Sequence, residues 1–324
     1  MKEAIKIMNS LGSERKPFLF IIDFAMQKPL IFPKDKIPLD ILYDINGISN
    51  VSNYSPISES PYYLNKKPID FNTYKKAFNK VIAHLQYGNS YLLNLTQPTA
   101  IETNLDLSTI FHKSIAKYKL LYKDKFVVFS PEIFIRINNN IISSFPMKGT
   151  IDAEIPDAEN VILNDSKETA EHYTIVDLIR NDLSKVSKNV KVDRFRFIDY
   201  LKTNNKQLLQ VSSEISGELP NDYNNQIGEI LFNLLPAGSI SGAPKKKTLE
   251  IISETENYNR GYYTGVFGYF DGYNLDSGVM IRFIEKTEEG LIYKSGGGIT
   301  AKSEAENEYQ ELIDKVYVPF VRNN

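Results

Sequence analysis

KFVVFSPEIFIRINNNIISSFPMKGT, residues 125–150, sets β-branched and aromatic residues on both sides of Asn138-Asn139-Asn140. Such a run predicts an antiparallel hairpin with the asparagines at its turn. Two residues within it could do chemistry. Glu132 follows a hydrophobic strand and a proline, where burial would raise its pKa toward acid work, although most such glutamates are exposed. Lys148 lies between a hydrophobic strand and a glycine turn, and is either a surface lysine or a catalyst.

Outward from this stretch, strands and helices alternate without a clean linker. Residues 17–32 predict two strands around Met26-Gln27-Lys28-Pro29, and residues 33–70, rich in Pro, Ser, Asn and Tyr, predict irregular connection. Residues 71–86 carry apolar positions at helical spacing and stop before Gly88, a C-cap glycine. Residues 90–102 alternate like a strand, and residues 106–118 predict a helix. Asp165-Ser166-Lys167-Glu168 opens the clearest helix, over 165–186, with Ile175, Val176, Leu178, Ile179 and Leu183 as its apolar stripe. A helix follows Pro244, then strands over 264–272, 277–286 and 290–299. Ser303-Glu304-Ala305-Glu306 reads as a capping box opening a last helix to about Val316. This order predicts an α+β class and one large domain spanning 1–324, with 1–70 a shortened N-terminal part and 71–318 the catalytic core.

Bulk properties exclude several classes. Thirty-eight basic against forty acidic residues leave a net charge of −2, without the cationic footprint of a nucleic-acid binder. No apolar run reaches the roughly 18 residues of a membrane span, and residues 1–18 lack the apolar core of a secretory signal. A cytoplasmic location is expected. The chain has no cysteine, so no thiolate mechanism is open to it, and three histidines make histidine-rich metal sites improbable.

Four groups of residues remain. Glu168 and Glu171 stand three apart on one predicted helix, and Glu308 and Glu311 repeat the spacing on the last. Each pair sets two carboxylates on one face, which repel unless the face is solvated or a cation is held between them; with hard oxygen donors that cation would be Mg²⁺. Gly238-Ser239-Ile240-Ser241-Gly242-Ala243-Pro244-Lys245 runs glycines and hydroxyls into a helix start, leaving backbone N–H groups for an anion. Lys245-Lys246-Lys247 is either an anion clamp or solvated surface. Gly296-Gly297-Gly298 is either a tight turn or a place of close approach.

Together these segments resemble the chorismate-utilising enzymes, the family of anthranilate synthase component I, aminodeoxychorismate synthase component I, and the isochorismate and salicylate synthases. The resemblance runs from about residue 71 to the end and includes GNSYLLNLT, FSPEIF, PMKGT, DSKETAEHYTIVDLIRNDLSKV, LPAGSISGAPKKKTLEII, RGYYTGVFGYF, VMIRF, GGGI and ENEYQELIDKV, in the family's order. It implies two antiparallel sheets packed as a sandwich with flanking helices, and chorismate as substrate. It implies Glu171 and Glu311 as Mg²⁺ ligands with Glu168 and Glu308 nearby. Arg282 and Tyr263 match positions holding the enolpyruvyl carboxylate, and Ser239, Ser241, Gly242 and Gly298 match a substrate cradle, with Thr150 beside it. Glu132 matches the acid that helps the C4 hydroxyl leave. Other branches typically carry alanine at the position of Lys148; P-x-K-G-T is similar to aminodeoxychorismate synthase component I. That branch implies attack of Lys148 on C2, then ammonia at C4, giving 4-amino-4-deoxychorismate, a precursor of 4-aminobenzoate in folate synthesis. Free lysine has a pKa of about 10.4, so a dry pocket would have to lower it by about 3 units.

The sequence departs from the family at several points. Gln210 stands where the family's H-L-x-S has a histidine, Asn89 replaces a common aspartate, and KGTIDAEI lacks an arginine often found there. No L-L-E-S-type tryptophan-binding segment is recognisable, so feedback by tryptophan is not expected. Without a cysteine the chain cannot release ammonia from glutamine by the usual thiolate route, so a separate glutaminase subunit is expected as partner. Anthranilate synthase component I, isochorismate synthase, and a catalytically weak subunit that activates a glutaminase stand as alternatives.

Overall fold

The computed structural model describes residues 1–51, 61–202 and 207–320. Among the described residues, two nine-stranded, antiparallel sheets face one another, with helices on their outer faces. The first sheet runs Met147–Asp152, Gln207–Glu218, Ile141–Ser144, Ile133–Asn138, Leu275–Val279, Val266–Phe270, Phe18–Ile22 and Leu30–Pro33, with Lys188–Lys202 also paired to Gln207–Glu218. The second runs Gly242–Ala243, Leu92–Thr103, Gly290–Ile299, Phe283–Thr287, Phe126–Ser130, Tyr118–Tyr122, Ile41–Ile45 and Ile48–Ser49, with Leu64–Lys67 beside Leu92–Thr103.

Period-two alternation explains how one strand serves two cores. Leu19 and Ile21 point between the sheets, meeting Tyr43, Tyr118, Phe126, Phe267 and Phe283. Phe18, Phe20 and Ile22 point outward, into the helices Ser166–Ser184 and Ile227–Leu234. On the second sheet, Leu93 and Leu95 meet Tyr74, Phe78 and Val81 of the helix Phe71–Gln86, together with Ile251 and Leu312. Strands buried on both faces read as continuous apolar runs, as FLFII does.

Residues 125–150 do not form one hairpin. Phe126–Ser130 belongs to the second sheet and Ile133–Asn138 to the first, and the chain crosses between them at Pro131-Glu132. Proline removes a ladder donor, which ends the first strand there. Only Ile133–Asn138 and Ile141–Ser144 form the expected hairpin, through Asn139 and Asn140 at positive φ. The run 277–286 divides in the same way, into Leu275–Val279 and Phe283–Thr287, with Arg282 at the crossing. The two crossings are tied to each other: Phe129 N donates to Arg282 O at 3.1 Å, and Val279 N to Glu132 O at 3.1 Å. Sheet-switching thus sets Glu132 and Arg282 side by side.

Other expectations change in detail. Residues 33–70 hold strands Ile41–Ile45, Ile48–Ser49 and Leu64–Lys67 rather than irregular chain, with 52–60 outside the described residues. The helix after Asp106 stops at Lys113 and is followed by the strand Tyr118–Tyr122. The last helix is Ala305–Asp314, capped by Glu304 without a side-chain bond; Ser303 instead accepts from Thr300 N, so no capping box forms. The Asp165 cap does form, accepting from Glu168 N at 2.8 Å. Among the described residues, no helix is long and apolar enough to cross a membrane.

Candidate active site

Lys148 is aimed by a bulge. Met147 pairs with Ser212 and Thr150 with Gln210, so one extra residue is inserted at Lys148-Gly149, with Gly149 at φ 78°. A bulge re-aims the side chain it carries, and only glycine takes that φ without strain. Lys148 Nζ then donates to Glu171 Oε2 at 3.3 Å, with Lys148 19% and Glu171 7% exposed at the side chain. Both meet the strand Gly290–Ile299: a methyl at Gly298 would lie 2.9 Å from Lys148 Nζ and 3.7 Å from Glu171 Oε2.

The second carboxylate pair reaches the same strand from the opposite helix. A methyl at Gly297 would lie 3.3 Å from Glu308 Oε2 and 3.6 Å from Glu311 Oε1. Glu308 is buried, and Glu311 pairs with Lys315 at 2.6 Å. Glu168 Oε2 would be 3.4 Å from a methyl at Gly149. The glycine run is therefore a place of close approach, and two helices distant in sequence bring their carboxylates to it. Among the described residues, no group of three or more His, Asp or Glu is gathered closely enough to hold a metal ion. The donors are hard oxygens suited to Mg²⁺, and two of them are countered by ammonium groups, Glu171 by Lys148 and Glu311 by Lys315. The chemistry of these oxygens, not their spacing here, is what suits a divalent cation.

Glu132 faces this cluster from the sheet crossing. The Ser239 hydroxyl donates to Glu132 Oε1. Desolvation raises the Glu132 pKa above the usual carboxylate range, against the pull of Ser239, Lys148, Arg282 and Lys315. A carboxyl held toward its neutral form is a proton donor. Arg282, at φ 53°, has a buried Nε with no hydrogen-bond partner and lies 5.3 Å from the Tyr317 ring. Backbone strain and an unfilled cationic donor together suit an anion site. Tyr263 is buried beside Phe283, and burial pushes its phenol well above the ordinary value, keeping it protonated.

The glycine–serine segment behaves differently from the expected open loop. Gly238–Ser241 is a single helical turn, Gly242–Ala243 pairs with Leu92 and Leu93, and the helix Lys245–Thr255 starts only afterwards. Ser239 faces Glu132, while the buried Ser241 hydroxyl donates to Ala237 O at 2.9 Å and is internal. Gly242 takes φ 124°, and a methyl there would lie 1.9 Å from Leu92 O. Lys245 is not an anion clamp: its Nζ bonds Asp182 Oδ2 at 2.7 Å and Leu234 O at 3.0 Å, and Lys247 pairs with Glu250. Thr150 is exposed, opposite Gln210, whose amide donates to its hydroxyl at 3.5 Å.

Two residues escaped the sequence reading. Lys315 is desolvated, which lowers its pKa against the pull of Glu311, with Arg282 and Lys148 adding to the lowering. Its only sequence signal was the i,i+4 spacing from Glu311. His172, adjacent to Glu171, is buried and bonds Ser213 Oγ at 2.7 Å; desolvation, then Arg196 and Lys148, push its pKa to about 4, so it is neutral at physiological pH.

Comparison with known proteins agrees with this architecture. An uncharacterized PabA-like protein of Pasteurella multocida is 52% identical over 97% of this chain and 98% of its own length. The aminodeoxychorismate synthase component 1 of Escherichia coli is 32% identical over 75% of this chain, which spans 56% of that protein. The anthranilate synthase component I structure from Streptococcus pneumoniae superposes with a TM-score of 0.66 at 27% identity, over 78% of this chain and 58% of that one. A family model described as chorismate binding enzyme matches residues 33–320, and the chain belongs to that family.

Proposed function

We propose that this protein aminates chorismate at C4 with ammonia, giving 4-amino-4-deoxychorismate, the precursor of 4-aminobenzoate in folate synthesis. The observation that carries the proposal is Lys148, delivered by a strand bulge to the Glu171 carboxylate over Gly298. Glu171 and Glu311, with Glu168 and Glu308 beside them, would hold Mg²⁺, which supplies positive charge for the ring carboxylate that would otherwise face four glutamates. Arg282 and Tyr263 take the enolpyruvyl carboxylate, with Ser239, Gly242, Gly298 and Thr150 around the ring, while the internal Ser241, bonded to Ala237 O, shapes the turn instead of touching substrate.

The chemistry divides between two side chains. Lys148 gives up its Glu171 contact and its proton, and Nζ bonds to C2 as the C4–O bond breaks. Glu132 protonates the departing hydroxyl, which leaves as water. Ammonia then bonds to C4, the C2–N bond breaks to release Lys148, and the Glu132 carboxylate accepts the surplus proton. The ammonium proton that Lys148 first passes to solvent water returns to it from water on release, so the starting state of both side chains is restored. Ammonia comes from a separate glutamine amidotransferase subunit, since this chain has no cysteine.

The test is Lys148→Ala against wild type, with chorismate, ammonium and Mg²⁺. A loss of about 100-fold or more in amination is expected. Undiminished turnover would remove the nucleophile from the mechanism.

A further inference from the structure

Arg260 lies outside the groups assigned to chorismate, yet all five of its N–H donors are engaged. Nε donates to Glu256 Oε2 at 2.8 Å and Nη2 to Glu256 Oε1 at 2.7 Å. Nη2 also donates to Asn94 O at 2.7 Å, and Nη1 to Ile240 O at 3.2 Å and Thr264 Oγ1 at 3.3 Å. Arg260 and Glu256 are each 2% exposed at the side chain, and the guanidinium stacks 4.5 Å from the Phe24 ring centroid.

Each of those last three acceptors neighbours a segment of the site. Ile240 separates Ser239 from Ser241 and Gly242. Asn94 is the strand partner of Gly298. Thr264 follows Tyr263 and donates to its carbonyl at 2.6 Å. Glu256 extends the network, accepting from Thr96 N and Thr96 Oγ1, both at 2.8 Å. A buried ion pair is weak evidence for stability in itself, because apolar replacements are often no worse. A planar fork that satisfies three separate chain segments at once is a device for fixing their relative positions.

We propose that Arg260 is a positioning residue for substrate: it holds the Ser239–Gly242 turn, the Gly298 strand and the Tyr263 segment at the spacing that chorismate needs. The proposal rests on the chorismate reading of the site, and the test separates the two. Chorismate affinity is measured by calorimetry, without reference to the product formed, alongside Tm. Arg260→Met alone strands the Glu256 charge and lowers Tm. Arg260→Met with Glu256→Gln removes both charges and keeps an acceptor for Thr96. That double variant is expected to regain most of the Tm while binding chorismate about tenfold more weakly, since small misplacements at a site are costly. Arg260→Lys keeps the charge but cannot reach all three acceptors, and is expected to weaken binding with a smaller loss of Tm than Arg260→Met alone. Wild-type affinity in a folded Arg260→Lys protein, or in the double variant, would reduce Arg260 to a counter-charge for Glu256 and overturn the proposal. If wild type itself fails to bind chorismate, the reading of the site falls first and the proposal with it.

Discussion

Lys148 Nζ lies 3.3 Å from Glu171 Oε2, where a bulged strand and a long helix meet over Gly298. A lysine salt-bridged to a buried carboxylate is ordinarily structural, but here Glu171 at Gly298 and Glu308 and Glu311 at Gly297 reach adjacent residues of one glycine run. If Glu171 exchanges its lysine for a divalent cation, chelation should abolish turnover and Mg²⁺ restore it. Glu171→Gln should then raise the Mg²⁺ concentration needed for half-maximal rate by about tenfold or more. Turnover indifferent to EDTA would refute the carboxylate–metal assignment.

Glu132 sets an alkaline limit on the reaction. Desolvation raises its pKa, so the protonated acid persists to higher pH than in free glutamate. Turnover should hold while Glu132 is protonated and fall as pH rises through that raised pKa. Glu132→Gln should lose about 100-fold or more in kcat together with this limb of the pH profile. A pH profile unchanged in the variant would show that another group donates the proton.

Two glycines should respond to alanine in opposite ways. At Gly298 the methyl meets Lys148 Nζ at 2.9 Å and Leu92 Cδ1 at 3.2 Å, both on side chains that can yield. The variant should fold with nearly wild-type Tm and lose about tenfold or more in turnover. At Gly242 the methyl meets Leu92 O at 1.9 Å in a left-handed backbone, and nothing there can give way. Destabilisation of about 2–4 kcal/mol is expected, read by denaturant unfolding.

Lys245 separates structure from binding. It is 15% exposed at the side chain and bound to Asp182 and Leu234 O, so Lys245→Met should cost about 1–3 kcal/mol of stability through the two buried acceptors left without a donor, while Asp182 keeps its pair with Lys185. Its KM for chorismate should stay near wild type. A raised KM without loss of stability would return Lys245 to the anion clamp first considered for it.

The strongly periodic helices were legible: Phe71–Gln86 matches its expected ends, and Ser166–Ser184 its cap and stripe. Sheet membership was not, because alternation marks a strand without saying which sheet it joins. Phe126–Ser130 and Ile133–Asn138 look continuous in sequence yet lie in different sheets. The strand Lys188–Lys202 is hard to see in sequence because register shifts between Val192 and Phe197 break its alternation into two short pieces. At the site, each glutamate pair was readable from its spacing, whereas the Ser239–Glu132 contact joins residues 107 positions apart and was not. Lys148 drew attention through a family motif, and its bulge became visible only with the pairing of Ser212 and Gln210.

The most direct measurement is the identity of the product formed from chorismate, ammonium and Mg²⁺ by the isolated chain, by chromatography and mass. An amine that keeps the enolpyruvyl group, 4-amino-4-deoxychorismate, is the expected result. Anthranilate, formed with loss of pyruvate, or isochorismate, formed without nitrogen, would contradict amination at C4 through Lys148.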